Sequence, residues 1–399
     1  MGRIGIYGGT FNPPHLGHMQ AARQALECLQ LDRLLLIPDG QPPHKELAQD
    51  SPTALQRTQM LQSMADALPR TQVLTLEIQR QGKSYTVDTL RELSGRYPDD
   101  QLFFLMGTDM LLSFPNWYRP EEICRYATLA LMAREAQDPS LDERLQAVIQ
   151  VIETRLGGQV VRVQNQALPM SSTEVRRMIA LGAGEEMLTP SIYSKIRQWG
   201  CYGVHRSRRG LSLAELETEV VKLLKPSRVA HVLGCRDTAV QLANRYGQDV
   251  TESARAALLH DVTKALSMEQ QEMLCRHYQV QLPPWALQSP PTAHAFTGAL
   301  AAEQVFGECP AVCQAIAYHT TGKPGMNLLE QIIYIADYIE PNRDFPGVAH
   351  LRETAAQSLL DAVALGLEMT MTHLTEAGKT VAGISQEAYR WAVGQKKGL

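Results

Sequence analysis

The 399-residue sequence has no long apolar run, no CxxC pair, no internal repeat and no low-complexity tract. Its longest aliphatic stretch beside a strand, Leu34-Leu35-Leu36-Ile37, falls far short of the roughly 20 apolar residues of a membrane-spanning helix. Seven cysteines, at 28, 124, 201, 235, 275, 309 and 313, form an odd set that reads as reduced thiols rather than a disulfide framework. Cys309 and Cys313 could share a helical face, where core packing explains them better than a metal clamp. Charge of one sign is also missing. Lys plus Arg total 38 against 42 for Asp plus Glu, a net −4, so no strong field favours nucleic acid or an anionic membrane. The segment Met1–Tyr7 lacks the apolar core and cleavage site of a signal peptide, and Gly2 lacks the pattern for myristoylation. These absences predict a cytoplasmic protein without membrane contact; they leave the oligomeric state open.

What is present is the composition of a soluble globular chain, 44% hydrophobic and 20% charged. At roughly 150 residues per domain the length predicts two or three domains. Up to about residue 200, strand-like runs alternate with helix-like ones. Strands are expected at Arg3–Tyr7, Arg33–Ile37, Gln72–Glu77, Leu102–Met106, Thr128–Met132 and Gln159–Arg162. That alternation predicts a Rossmann-like α/β parallel sheet with ligands at the carboxyl ends of its strands. After residue 210 strand signals almost vanish, and amphipathic patterns predict an all-α bundle, with helices including 227–246, 251–265, 327–340 and 349–376. The polar, locally basic junction Val204–Gly210 reads as a solvated linker, giving domains at 1–203 and 212–399 around a linker at 204–211.

In the first half, Gly8-Gly9-Thr10-Phe11-Asn12-Pro13-Pro14-His15-Leu16-Gly17-His18 follows a strand and opens a helix. Backbone N–H groups there can face a phosphate. His15 and His18, three apart, project to one side and can donate to a phosphate whose charge grows in a transition state. A lone HxxH reads as a capping turn with incidental histidines; the whole string reads as a phosphate grip. Ser171-Ser172-Thr173-Glu174-Val175-Arg176 is a helix start whose Arg176 can add a fork of donors.

GGTFNPPHLGH resembles the signature of the HxGH nucleotidylyltransferases, and four further segments resemble one branch, the bacterial nicotinate-nucleotide adenylyltransferases. These are Asp39–Lys45 with its PPHK loop, Ser84–Leu90 (SYTVDTL), Gly107-Thr108-Asp109 with Trp117, and Met170–Arg176, where Met170 stands in place of the usual Ile. The resemblance spans residues 1–200 and implies transfer of AMP from ATP to nicotinate mononucleotide, with Mg²⁺ bridging substrate phosphates. It implies ATP contacts at Gly8, Gly9, Thr10, Phe11, His15, His18, Ser172, Thr173 and Arg176. Nicotinate mononucleotide would meet Lys45, Thr86, Asp109 and Trp117, and the catalytic set would be His15, His18, Lys45 and Arg176. A pantetheine-phosphate adenylyltransferase is the alternative, disfavoured by the PPHK and SYTVDTL segments.

The second half holds eight of the eleven histidines. His260-Asp261 stands as an adjacent pair on an expected helix, beside Ala256-Ala257-Leu258-Leu259, and Asp337 follows Ile332–Ala336. Carboxylates in such apolar company need a partner or a metal. His231, His294 and His319 complete an ordered series H…HD…H…H…D, whose spacings put each ligand on a different helix converging at one core. Imidazoles and carboxylates together suit iron or manganese.

That series resembles the HD-domain phosphohydrolases. His260–Lys264, His319–Gly322 and Ala336–Pro341 resemble one branch, the symmetrical diadenosine tetraphosphate hydrolases, over residues 212–395. The resemblance implies one divalent ion on His231, His260, Asp261 and Asp337 and a second on His294 and His319, with Asp261 bridging. Two such ions lower the pKa of water and clamp a phosphate. Asp261 and Lys264 would be catalytic; Arg343 is a weaker candidate for a substrate phosphate. The partners so implied are ATP, nicotinate mononucleotide and diadenosine tetraphosphate. A nucleotide-sensing module, or an HD phosphohydrolase of another nucleotide, is the alternative for this half.

Overall fold

The computed structural model describes residues 1–40, 50–80, 82, 84–132, 139–164, 168 and 170–396. The chain divides into two compact units, Met1–Ala180 with Gly184–His205, and Leu181–Ala183 with Arg206–Leu399. No described helix is long and apolar enough to cross a membrane.

The first unit is built on six strands: β1 (Arg3–Gly9), β2 (Arg33–Pro38), β3 (Thr71–Val73), β4 (Gln101–Gly107), β5 (Thr128–Met132) and β6 (Val160–Val163). They form one parallel sheet in the order β3-β2-β1-β4-β5-β6. Side chains alternate across it. Ile4, Ile6, Leu35, Ile37, Phe104, Met106, Leu129 and Leu131 enter one core cluster, while Leu34, Leu36, Phe103, Leu105 and Ala130 are buried on the opposite face. Burial on both faces explains why these strands read as continuous apolar runs. The strand order reverses between β1 and β4, and the crevice beyond their carboxyl ends is where such sheets bind ligands.

One strand differs from expectation. The run expected at Gln72–Glu77 stops at Val73, and Leu76–Gln79 becomes a short helix. Among the described residues β3 is an edge strand paired with β2 alone, through Leu34, Leu35 and Leu36.

Among the described residues the second unit contains helices and no strand. Pro226–Tyr246, Val250–Leu259, Pro310–Ala317 and Leu328–Ile339 pack around its centre. Three helix boundaries depart from the sequence pattern. The stretch expected as 251–265 leaves the α-helix at Leu259; residues 260–265 continue as three-residue turns. The stretch 349–376 is two helices, because Ser358 takes an extended backbone and caps the second by accepting from the Asp361 N–H. Ser227, which reads as the N-cap before His231, lies inside a helix capped at Lys225 and started by Pro226. In the basic junction, Arg206 and Arg208 both meet the buried Glu219 carboxylate, at 3.0 and 3.2 Å.

Candidate active sites

The first site gathers at the sheet's switch point. Gly8 and Gly9 end β1, Gly107 ends β4, and two cavities of about 220 and 250 Å³ open beside them. The larger is lined by His15, His18, Ser171 and Ser172, the smaller by Gly8, Gly9, Asp39, Glu77 and Thr86. The structure thus brings together Gly8, Gly9 and Thr86 on one side, and His15, His18 and Ser172 on the other. Asp109 and Trp117 line neither cavity; Asp109 is exposed and Trp117 packs against Phe104 and Phe114 with its Nε1–H donated to Ser113 Oγ. Lys45 lies outside the described residues.

The two histidines form a unit. Their ring centroids are 3.7 Å apart, and the His15 backbone N–H donates to His18 Nδ1 at 3.3 Å. Desolvation holds the His18 pKa down to about 4, so this imidazole is neutral at physiological pH. With Nδ1 accepting, its proton sits on Nε2, leaving a neutral N–H donor. Gly17 between them is required by space: a Cβ there would stand 2.9 Å from Met170 Cγ and 3.0 Å from His15 Nδ1.

Arg176 is already engaged, donating to the Asn12 carbonyl at 2.6 Å and to Thr173 Oγ1 at 3.0 Å. Ser172 Oγ donates to the Pro13 carbonyl at 2.9 Å. Both therefore fasten the GGTFNPP loop to the helix Ser172–Ala180. Phe11 is buried edge-on to Tyr7 and His18, and Thr10 Oγ1 donates to Asp39 at 2.7 Å.

A residue absent from the sequence reading secures the other side. Arg57, fully buried on the helix Ala54–Ala65, donates to the Thr10 carbonyl at 2.5 Å, to Asp39 Oδ1 at 2.9 Å and to the Asp39 carbonyl at 2.8 Å. Tyr202 reaches Asn12 Oδ1 at 2.6 Å. The GGTFNPP loop is thus held from three directions by groups distant in sequence.

The second site is a closed cluster in which His231, His260, Asp261, His294, His319 and Asp337 are all buried. Three histidines share one local device. Nδ1 of His260 bonds the Ala257 carbonyl at 2.6 Å, Nδ1 of His294 the Pro291 carbonyl at 2.8 Å, and Nδ1 of His319 the Ile316 carbonyl at 2.7 Å. A carbonyl only accepts, so each Nδ1 carries a proton and each Nε2 is turned inward. For His260 this corrects the expected helical placement: its ring takes the Ala257 carbonyl that the next helical turn would use. His231 achieves the same orientation through Glu340, with Nδ1 to Oε1 at 3.1 Å.

All four Nε2 atoms converge on two carboxylates. His231 stands 3.1 Å from Asp337 Oδ1. Asp261 is shared: Oδ2 faces His260 and His231 at 3.6 and 3.7 Å, while Oδ1 faces His294 and His319 at 3.2 and 3.9 Å. Within this cluster His231, His260 and Asp337 form one group with donor atoms close enough to hold an ion, and His260, Asp261 and His319 form another. Burial pushes His260 down and takes His319 to about 3, keeping both neutral. Burial alone would raise Asp261 and Asp337, yet both carboxylates are held well below their ordinary range, Asp337 with the Arg343 guanidinium paired to it.

The donor set fits a divalent metal. Neutral imidazoles and ionised carboxylates are the ligating forms, and back-bonded Nδ1 atoms are the usual means of orienting metal-binding histidines. Nε2 of His231 and of His260 has no hydrogen-bond partner. Three cations ring the cluster. Arg228 pairs with Asp261 and Arg343 with Asp337, and Lys264 Nζ is 3.2 Å from His294 Nε2. Arg228 and Glu340 escaped the sequence reading, although Arg228 lies one turn before His231 on the same helix.

Comparison with known proteins now decides the family. The cytidylyltransferase-like family model matches residues 6–178, and the HD domain model matches residues 228–342. A probable nicotinate-nucleotide adenylyltransferase of Geobacillus thermodenitrificans is 34% identical over 208 residues, 52% of this chain and 89% of its own. The chain belongs to the nicotinate-nucleotide adenylyltransferase family. A relative of the same name from Exiguobacterium sibiricum is 35% identical, covering 50% of this chain and 98% of its own. This membership rests on the first unit; the second carries an HD domain. A solved structure from Clostridium acetobutylicum, described as a predicted HD superfamily hydrolase involved in NAD metabolism, is 34% identical over 46% of this chain and 98% of its own, with a TM-score of 0.45.

Proposed function

We propose that this cytoplasmic chain is a bifunctional enzyme. Its first unit transfers AMP from ATP to nicotinate mononucleotide. An oxygen of the mononucleotide's 5′-phosphate bonds to the α-phosphorus of ATP, the bond from that phosphorus to the β-phosphate oxygen breaks, and deamido-NAD and pyrophosphate result. The observation that carries this reading is the pair of cavities at the switch point, with the His15–His18 pair on one side and Thr86, at the start of the helix Thr86–Arg96, on the other. His18 Nε2–H donates to an α-phosphate oxygen as charge moves toward the leaving group, and the loop held by Arg57 and Arg176 keeps the donor in place. Ser172, Thr173, Arg176 and Lys45 are assigned to the ATP phosphates and the mononucleotide, Asp109 to ribose and Trp117 to the pyridine ring. Mg²⁺ arrives with the substrate phosphates. Steady-state rates with nicotinate mononucleotide, nicotinamide mononucleotide and phosphopantetheine test this; a preference for phosphopantetheine would refute it.

The second unit is a metal-dependent hydrolase that cleaves diadenosine tetraphosphate into two ADP. What carries this reading is Asp261, whose two oxygens face different histidine pairs. His231, His260 and Asp337 would hold one ion and His294 and His319 another, with Asp261 common to both; iron is the first choice and manganese the second. Such ions supply an acidified water and charge neutralisation at phosphorus. The protein's own part is to keep all four imidazoles turned inward, with His260 and His319 held neutral by burial, and to offer Arg228, Lys264 and Arg343 to phosphate oxygens. Chromatography of products from the iron(II)-loaded protein tests it: ADP alone is expected, whereas AMP plus ATP would mean a different scissile bond.

A further inference from the structure

A cavity of about 810 Å³ in the second unit begins at the His–Asp cluster and runs away from it. Asp337, Arg343 and Thr320 form its inner end. Its floor is one face of the helix Leu359–Glu376: Leu365, Glu368, Met369, Thr372 and Glu376 recur at helical spacing. Its opposite wall is the loop 340–347, which joins the helix bearing Asp337 to the helix Val348–Gln357.

That loop couples the cluster to the cavity. Arg343 donates its Nε–H to the Asp337 carbonyl at 2.7 Å and pairs with the Asp337 carboxylate. Two residues on, Phe345 sets its ring edge-on to Tyr338 at 6.2 Å, and Tyr338 stacks on Tyr334 at 5.5 Å. Gly347 lets the loop approach Met369 closely: its φ is +92°, and a Cβ there would lie 2.8 Å from Met369 Cε. The cavity therefore has a cationic end at the cluster, an apolar middle formed by Phe345, Tyr338 and Met369, and an exposed rim at Glu368, Glu376 and His373.

We propose that this chamber binds one purine nucleoside of a 5′-diphosphate unit, with Phe345 and Met369 against the base and Arg343 against the phosphates. The proposal deepens the hydrolase reading and rests on it for the orientation of the phosphates. The volume lies within the roughly 300–1,000 Å³ of small-molecule sites. Stacking on an aromatic ring suits a base, whose faces are apolar and whose edges are polar. The carboxylates of Glu368 and Glu376, being acceptors only, match the amino and ring N–H groups on a purine edge and repel phosphate, so the polyphosphate is directed back toward Arg343. The assignment makes Phe345 a specificity-determining residue.

Titration calorimetry of the manganese-loaded, full-length protein with ADP, CDP and inorganic pyrophosphate tests this without requiring turnover. Phe345→Ala is expected to weaken one ADP-binding event per chain by about ten-fold while leaving pyrophosphate affinity unchanged, and Phe345→Tyr to restore it. ADP should exceed CDP at that event. The first unit is common to all variants, so its own nucleotide binding cancels from the comparison. If Phe345→Ala fails to fold, Met369→Ala is expected to give the same loss. Superposable ADP isotherms for wild type and Phe345→Ala, or equal losses for ADP and pyrophosphate, would overturn the proposal. Loss of diadenosine tetraphosphate as a substrate with ADP binding intact would refute the hydrolase reading and leave the chamber standing.

Discussion

Glu340 accepts a hydrogen bond from His231 Nδ1 at 3.1 Å, and the same imidazole places Nε2 3.1 Å from Asp337. A carboxylate that touches none of the proposed ligands' inward atoms therefore sets which nitrogen of His231 faces the cluster. The other Glu340 oxygen accepts from the Asn342 backbone and side chain at 2.8 and 2.9 Å, so its position is fixed. Glu340→Gln keeps the shape and removes the charge. Metal affinity, measured by competition with a chelator, should fall roughly 10- to 100-fold. Unchanged affinity would mean that Glu340 does not orient the ligand.

Gly17→Ala is expected to damage the first site alone. The added methyl would press on the His15 ring and on Met170 Cγ, at 3.0 and 2.9 Å. Relieving that overlap costs about 1–3 kcal/mol and displaces the donor pair. The kcat for adenylyl transfer should drop about ten-fold or more, while metal binding by the second unit stays as in wild type.

Arg57 is the buried tie between the Thr10 carbonyl and Asp39. Arg57→Ala leaves Asp39 without its cation and the Thr10 carbonyl without a donor, a loss of roughly 3–5 kcal/mol. Urea-dependent hydrogen exchange at β1 amides should show the first unit opening at lower denaturant. Wild-type protection would contradict the assigned role.

The sequence reading and the structure agree where local pattern decides structure. Four of the six strands, β1, β2, β4 and β5, are apolar runs with interiors buried on both faces, and each lies where the reading put it; β6 lies there too, although its Arg162 is exposed. The third is shorter because an edge strand has one partner only. The four imidazoles and two carboxylates of the second site were legible as an ordered series, since buried titratable groups on apolar helices stand out. Their orientation was not, because it depends on the carbonyls of Ala257, Pro291 and Ile316 and on Glu340 from another helix. Arg57 in Gln56-Arg57-Thr58 reads locally as a solvated helix residue; only the fold brings Thr10 and Asp39 to it. The Phe345 chamber likewise arises from a loop and a helix that no local spacing relates.

His18 gives a pH test with a fixed sign. Its folded pKa of about 4 lies below the ordinary 6.5, so the unfolded chain takes up the proton first. Its contribution to stability is complete above pH 6.5 and is lost as pH falls toward 4. In an imidazole NMR titration of the ligand-free protein, the His18 resonance should stay constant from pH 8 to about 5 and move only below that. A midpoint near 6.5 would contradict the desolvated, neutral donor.

The central claim is that one chain holds two chemically separate active sites, and two variants test it directly. Full-length Asp261→Ala and His18→Ala should each be assayed for deamido-NAD synthesis and for ADP release from diadenosine tetraphosphate. Asp261→Ala is predicted to lose hydrolysis and retain synthesis; His18→Ala is predicted to lose about 100-fold or more in synthesis and retain hydrolysis. Loss of both activities in either variant, or wild-type hydrolysis by Asp261→Ala, would contradict the account.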